Sequence, residues 1–366
     1  WSPGGRMLAF LATPENPGTF GRYGYVYIAP IGPDGRSAGP PAKVELPHNT
    51  GGKLAGWSKD NRIGLVLPSP DRIMALYTVP AAGGKAVQLT PKGASMPSWA
   101  PDGKRIYFFG AHHGTMAGIE YVPAGGGPVV RIPVRSPHPV GPWAGISVSP
   151  DGRKILFQGY FSSASAKLVA HIFTLPAEGG QLADLLSGNE LYVLYPCWSP
   201  DGRQIAFLRE DWAEEGRVYN IYTIPAEGGT PRKLTSDSDN VDEADIAWSP
   251  DGKYLAYRSR DGKLRLLPLD GGPSQVLVEG LKAYWWASGL AWSPDGKELA
   301  YATNGRIWKV NLQSRGSEEV QTGLGAIPMQ IAWSPDGKTI AFSAHQGGEP
   351  ELWLMEDFLP LRQAGR

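Results

Sequence analysis

One short phrase recurs along this chain, and a repeat of its period leaves few folds open. It reads WSPGGRMLAF from Trp1, WSKDNRIGLVL from Trp57, WAPDGKRIYFF from Trp99 and VSPDGRKILF from Val148. It continues as WSPDGRQIAF from Trp198, WSPDGKYLAY from Trp248, WSPDGKELAY from Trp292 and WSPDGKTIAF from Trp333. The starts lie 41 to 56 residues apart. Each copy parses physically. A strand (a) ends at the Trp, and Pro-Asp-Gly makes a tight turn in which Pro fixes φ, Asp bonds the backbone and Gly accepts positive φ. The second copy carries Asn61 at the Gly position, the other residue that tolerates that conformation.

Alternating residues after the turn, as in Arg203-Gln204-Ile205-Ala206-Phe207, make strand b. Strand c follows a variable loop, for example Tyr219 to Ile224, and a second Gly-rich turn (80–84, 176–180, 225–229, 268–272) leads into strand d. Units of this size and pattern are the blades of a β-propeller. The expected fold is all-β: one eight-bladed propeller over residues 1–366, with four-stranded antiparallel blades starting near 1, 54, 95, 145, 194, 244, 288 and 329. Closure is the weak point, because Trp1 leaves almost no strand a for the first copy.

Composition agrees with many short strands. Thirteen Trp and fifteen Tyr favour strands, and 48 Gly with 34 Pro supply turns. Lys+Arg and Asp+Glu are 35 each, so no net field draws nucleic acid or an anionic membrane surface. No apolar run approaches the roughly 20 residues of a membrane helix. A single cysteine, Cys197, excludes an internal disulfide and a cysteine-built zinc site. The chain opens at Trp1 in mid-motif and without an initiator Met, so a targeting segment or further domain is expected upstream.

Strand direction alternates, so the a–b and c–d turns share one end of the blades and the b–c and d–a loops share the other. The first end is nearly invariant; the second carries the irregular sequence, where function on rigid scaffolds concentrates. His48 and His138 fall in d–a loops, His112, His113 and His345 in b–c loops, and His171 at the start of a strand c. Histidines 112, 113, 138 and 171 are weighed as a metal group, against ordinary loop histidines.

The same end gathers Tyr160, Phe161, Trp143, Tyr192, Tyr195, Trp212 and the run Tyr284-Trp285-Trp286. Exposed aromatics anchor proteins and extended peptides. The residues expected to bind a partner are Trp212, Tyr284, Trp285, Tyr195, Asp245, Gln330, His112 and His113. Tyr195, Asp245, Ser288 and Gln330 enter strand a and are expected at the rim of a central channel. The acidic run Asp237 to Asp245 opens like a calcium loop, but Val241 holds a ligand position and no Gly follows, so a solvated patch is the first reading and Ca²⁺ a lesser one. No other cofactor is expected. The repeated Trp residues are read as wedges between blades, and Val148 as the place to look for a gap or a compensating side chain.

The W-S-P-D-G phrase resembles the PD40 family, the WD40-like propeller repeat of TolB-like proteins and of tricorn-type and prolyl-oligopeptidase-type peptidases. The likeness covers the whole chain, with seven of eight copies keeping the Trp and six keeping Asp-Gly. TolB itself has six blades and a separate α/β domain, which are not apparent here. The resemblance implies a periplasmic or secreted, non-catalytic module that binds a protein or peptide, with no nucleic acid and no membrane insertion. No G-x-S-x-G elbow is present. Two rival expectations stand: a lyase or hydrolase acting on carbohydrate or peptide at the channel, and a sensory or gating domain of a larger protein.

Overall fold

The computed structural model describes residues 1–12, 25–34, 36–47, 53–68, 73–91, 93–110, 118–136, 140–162, 168–186, 192–213, 216–282, 289–321, 327–346 and 349–355. Apart from a parallel pairing of Val134–Arg135 with Gly180–Gln181, its strands form antiparallel sheets whose order along the chain is a-b-c-d, as the repeat predicts. Among the described residues six sheets have four strands, each named by the residue that closes its strand a. The Trp198 sheet, for example, runs through Val193–Trp198, Gln204–Ala213, Gly216–Pro225 and Arg232–Lys233.

The expected eight complete blades are not formed. Among the described residues the first sheet has only Met7–Ala12, Tyr25–Pro30 and Ala42–Lys43. The last has Ile327–Trp333, Ile340–Gln346 and Glu349–Met355, with no fourth strand among the described residues. A propeller of eight four-stranded blades is therefore corrected to an all-β propeller fold with six complete blades and three-stranded sheets at the chain ends.

Contacts cluster into two compact units, residues 44–243 and residues 1–43 with 244–366. In the first unit the strands a are neighbours in series: Lys53–Trp57 meets Ala94–Trp99, which meets Gly141–Val148, which meets Val193–Trp198. Buried aromatic and aliphatic residues fill the spaces between sheets. Phe109, Phe157 and Phe173 pack together where Val148 stands in place of a Trp, with Phe109 edge-on to Phe157 at 5.6 Å.

Four of the repeated Trp residues, Trp1, Trp198, Trp292 and Trp333, have a polar role that packing alone does not reveal. Trp198 Nε1 donates to the Ser147 carbonyl at 3.2 Å. In the second unit Trp292 donates to Ala247 and Trp333 to Ala291, both at 3.1 Å. Each acceptor directly precedes the motif Trp or Val of the preceding sheet, so the indole fastens neighbours as well as filling the wedge. Trp198 and Trp333 are buried, whereas Trp248 and Trp292 are half-buried. Trp1 donates to Ala332 at 3.2 Å by the same rule, which docks the first sheet on the last within that unit.

The turn also uses its Ser. Ser199 Oγ donates to Asp201 Oδ1 at 2.6 Å and accepts the Gln204 N–H, while Asp201 accepts the Arg203 N–H. The same exchange recurs at Ser149–Asp151, Ser249–Asp251, Ser293–Asp295 and Ser334–Asp336. The Ser hydroxyl bond holds the Asp201 carboxyl below its ordinary range. Asn61 has φ +58°, the conformation its substitution for Gly implies.

Candidate functional site

The Trp198 sheet departs most from the repeat. Its strands b and c have ten residues each and stay paired to Ala213↔Gly216, where Arg62–Pro68 and Met74–Pro80 in the Trp57 sheet have seven. Trp212 thus lies on a strand, not in the b–c loop expected from sequence. It is 78% exposed, the most open of the large apolar side chains among the described residues. Alternation places Trp212 on the side of Glu210 and Arg217, which are 3.5 Å apart, and Asp211 on the other side.

Asp211 is what lets the hairpin extend. Its Oδ1 takes Nε and Nη2 of Arg209 at 2.6 Å, and its Oδ2 takes Asn220 Nδ2 and the Tyr222 hydroxyl at 2.9 Å. Asn220 also donates to Asp237 at 2.8 Å and accepts from Thr235. Lys233 pairs with Asp237, and the Arg209 guanidinium lies 3.9 Å from the centre of the Tyr222 ring. Burial and then the Asp211 carboxylate push the Tyr222 phenol above its usual range, so it remains a donor. Strands b, c and d are cross-linked by a satisfied polar network, which makes the arm stiff.

Within the acidic run Asp239 is buried, so the expectation of a solvated patch is corrected there, whereas Asp237, paired with Lys233, keeps 49% of its side chain exposed. Asp237–Asp239 form a short 3-10 turn, Asp239 accepts the Ser236 N–H, and Asn240 closes the turn at φ +35°. The Lys233 and Asn220 hydrogen bonds lower the Asp237 carboxyl. Among the described residues no group of three or more His, Cys, Asp or Glu is placed to hold a metal.

Tyr195 lies three residues before Trp198 and is 53% exposed at φ +52°. The register between strands a and b slips from Leu194↔Leu208 to Cys197↔Ala206, so Tyr195 and Pro196 together oppose Phe207. This is a β-bulge whose first residue is left-handed, a position that ordinarily takes Gly. Met96 repeats it: φ +52°, 44% exposed, with the register slipping from Ser95↔Phe109 to Ser98↔Tyr107. Gly145 holds the equivalent place before Val148, in a slip between Ala144 and Ser147. Met96 and Gly145 were missed from sequence. The signal was there in Met96-Pro97-Ser98-Trp99 and Tyr195-Pro196-Cys197-Trp198, a bulky residue and Pro leading to the motif Trp.

Asp245 and Gln330 occupy the same distance before their Trp residues, within strands Val241–Trp248 and Ile327–Trp333. Tyr284, Trp285, His112 and His113 lie outside the described residues, as do His48, His138, Trp286 and Ser288. Two histidines are corrected. His171 is buried inside strand Leu168–Pro176, its Nδ1 2.9 Å from Asp184 Oδ2 and its ring edge-on to Phe161. A buried imidazole needs such a partner, so its strand position follows from the pairing. His345 is inside strand Ile340–Gln346, because pairing with Glu349–Met355 continues past it.

The WD40 family (WD domain, G-beta repeat) matches residues 232–266. The chain is 29% identical over 166 residues to an uncharacterized protein of Agrobacterium fabrum, covering 42% of this chain and 53% of that one. It is 36% identical over 91 residues to the Tol-Pal system protein TolB of Alcanivorax borkumensis, covering 24% and 19%. These matches span about half or less of the relatives' lengths. A solved oligogalacturonate lyase in complex with manganese superposes over 96% of both chains with a TM-score of 0.61 at 14% identity, which shows a shared fold. With the W-S-P-D-G turns and four-stranded sheets, these likenesses show a β-propeller fold whose repeats are similar to those of TolB-like and WD40-like proteins.

Proposed function

We propose that this propeller is a non-catalytic binding module that holds a protein or peptide at the b–c and d–a end of its blades. Trp212 and Tyr195, both in the unit of residues 44–243, are the anchors. The observation that carries this reading is Trp212, a Trp 78% exposed on an arm stiffened by Asp211. Exposing so large an apolar ring gives up burial that folding ordinarily gains, and Trp on a rigid element is the commonest anchor of an interface. The likeness to a Tol-Pal system protein supports an extracytoplasmic setting, which fractionation of producing cells checks.

The test is panning of a phage-displayed random dodecapeptide library on the chain. Enriched peptides should bind Trp212→Ala about thirtyfold more weakly, as loss of about 2 kcal/mol requires. Lys253→Ala, on the repeated turns, should leave binding unchanged. The enzyme reading draws on the superposed lyase. Formation of unsaturated product from oligogalacturonate, with no peptide enriched, would replace the binding reading by that one.

A further inference from the structure

A cavity of about 470 Å³ opens between the Trp99 and Val148 sheets, both within residues 44–243. Phe109, Ile119 and Ile132 wall it from the Trp99 sheet, and Val140, Phe157 and Leu182 from the Val148 sheet. All six are buried members of one apolar cluster, so the walls are packed from behind. A staple between the sheets fixes the rest. Val134–Arg135 pairs in parallel with Gly180–Gln181, and the Gly180 N–H donates to the Pro133 carbonyl and the Leu182 N–H to that of Arg135, both at 2.8 Å. Pro133 and Val134 line the cavity from this staple. Its size falls within the roughly 300–1,000 Å³ of small-molecule sites.

Arg131 is the only lining residue with a polar side chain. Gly118 makes room for it: a Cβ there would stand 2.8 Å from Nε and 3.2 Å from Cζ, so the guanidinium lies across bare backbone. Glu120 is its cross-strand neighbour, but the Glu120 carboxylate lies over Gly110, 2.6 Å from where a Cβ would be. Arg131 is exposed and has no ion-pair partner among the described residues. We propose that this cavity binds an apolar monocarboxylate, a medium-chain free acid, with its chain between the two sheets and its carboxylate on Arg131. A planar guanidinium meets a carboxylate in a two-bond fork. Hydrocarbon suits the remaining wall, whereas a sugar or a peptide would bring further polar groups that no other lining side chain can pair. Neither Trp212 nor Tyr195 lines the cavity, so this site stands apart from peptide binding.

Calorimetric titration of the intact chain with octanoate tests the site. Affinity should rise about fourfold per methylene from hexanoate to octanoate. Octanol, which keeps the chain, and octyltrimethylammonium, which reverses the charge, should bind at least about tenfold more weakly than octanoate. Arg131→Met should weaken octanoate about tenfold and leave octanol unchanged. Gly118→Ala keeps the charge but displaces it. Gly118 has no left-handed φ, and its added Cβ meets only the movable end of Arg131, so octanoate should weaken several-fold with an unchanged melting curve. Val134→Trp, at a half-buried position, narrows the cavity and should weaken octanoate and octanol alike. Trp212→Ala should change neither. Equal binding of octanoate and octanol, indifferent to Arg131→Met, would overturn the acid as the ligand. N-acetyl-leucine binding more tightly than octanoate would replace the free acid by a peptide C-terminus. No octanoate binding by calorimetry or ligand-detected NMR would overturn the site.

Discussion

Tyr195 offers a sign-definite test of the strained bulge. At φ +52° any side chain brings Cβ too close to the backbone, at a cost of about 1–2 kcal/mol, and Gly escapes that cost. Gly also has a freer unfolded chain, which costs it about 0.5–1 kcal/mol relative to Ala. Comparing Tyr195→Gly with Tyr195→Ala cancels loss of the ring, since both variants lack it. The difference should favour Gly by about 0.5–1 kcal/mol, the reverse of the usual order inside a strand. Val276, exposed in strand Gln275–Val278, supplies the control, where Ala should be the more stable of the same two variants. Urea unfolding followed by far-ultraviolet circular dichroism reads both pairs at a common m value. A Tyr195→Ala variant as stable as Tyr195→Gly, or more so, would show that the bulge stores no strain and would remove the argument that its side chain is kept for a ligand.

Other outcomes follow from the contacts between sheets. Trp333→Ala should cost about 3–5 kcal/mol by urea unfolding, and Trp292→Phe about 0.5–1.5 kcal/mol through loss of the bond to Ala247. Lys154 Nζ lies 2.7 Å from Glu227 of the next sheet, but Glu227 is largely exposed, so a double-mutant cycle should give a coupling of about 0.2–1 kcal/mol that fades in salt. Hydrogen bonds from Ser149, Ser199, Ser249 and Ser293 hold the carboxyls of Asp151, Asp201, Asp251 and Asp295 below their unfolded value of about 3.9. Their contribution is therefore complete above that pH and is lost as pH falls through the lower folded values. Acid titration of Ser199→Ala should show a smaller fall in stability over that window than the wild type shows.

What was legible in the sequence was what the backbone demands locally. Pro-Asp-Gly and Asn61 announce left-handed turns, and alternation after them announces strand b, so the sheet order followed directly. Where a strand ends was less legible, because strand length depends on side-chain partners distant in sequence. Asp211-Trp212 reads as a polar loop until Asn220, Tyr222 and Lys233 are seen to satisfy the carboxylate. His171 reads as a loop-edge histidine until Asp184 is found against it. The Ser of the motif escaped notice for a related reason. Its hydroxyl works through an Asp two residues on and an N–H five residues on, a bond pattern that composition does not display. The terminal sheets were the remaining miss, since counting Trp residues counts the ends of strands a, not complete sets of strands.

Function on this scaffold is better sought in departures from the repeat than in loops as such. A loop residue is cheap to vary, so its identity carries little physical information unless something fixes it. The departures here are fixed at a cost. Trp212 leaves a large ring in water, and Met96 and Tyr195 hold side chains where Gly would relieve the backbone. The arm bearing Trp212 and the edge bearing Tyr195 belong to one sheet and are tied by Tyr192. Its carbonyl accepts the Glu210 N–H at 3.0 Å, and it bridges to Ala170 in the Val148 sheet. A ligand that presses on Tyr195 therefore bears on a backbone already clamped to the base of the arm. Rigidity at both positions lowers the ordering cost of any binding there.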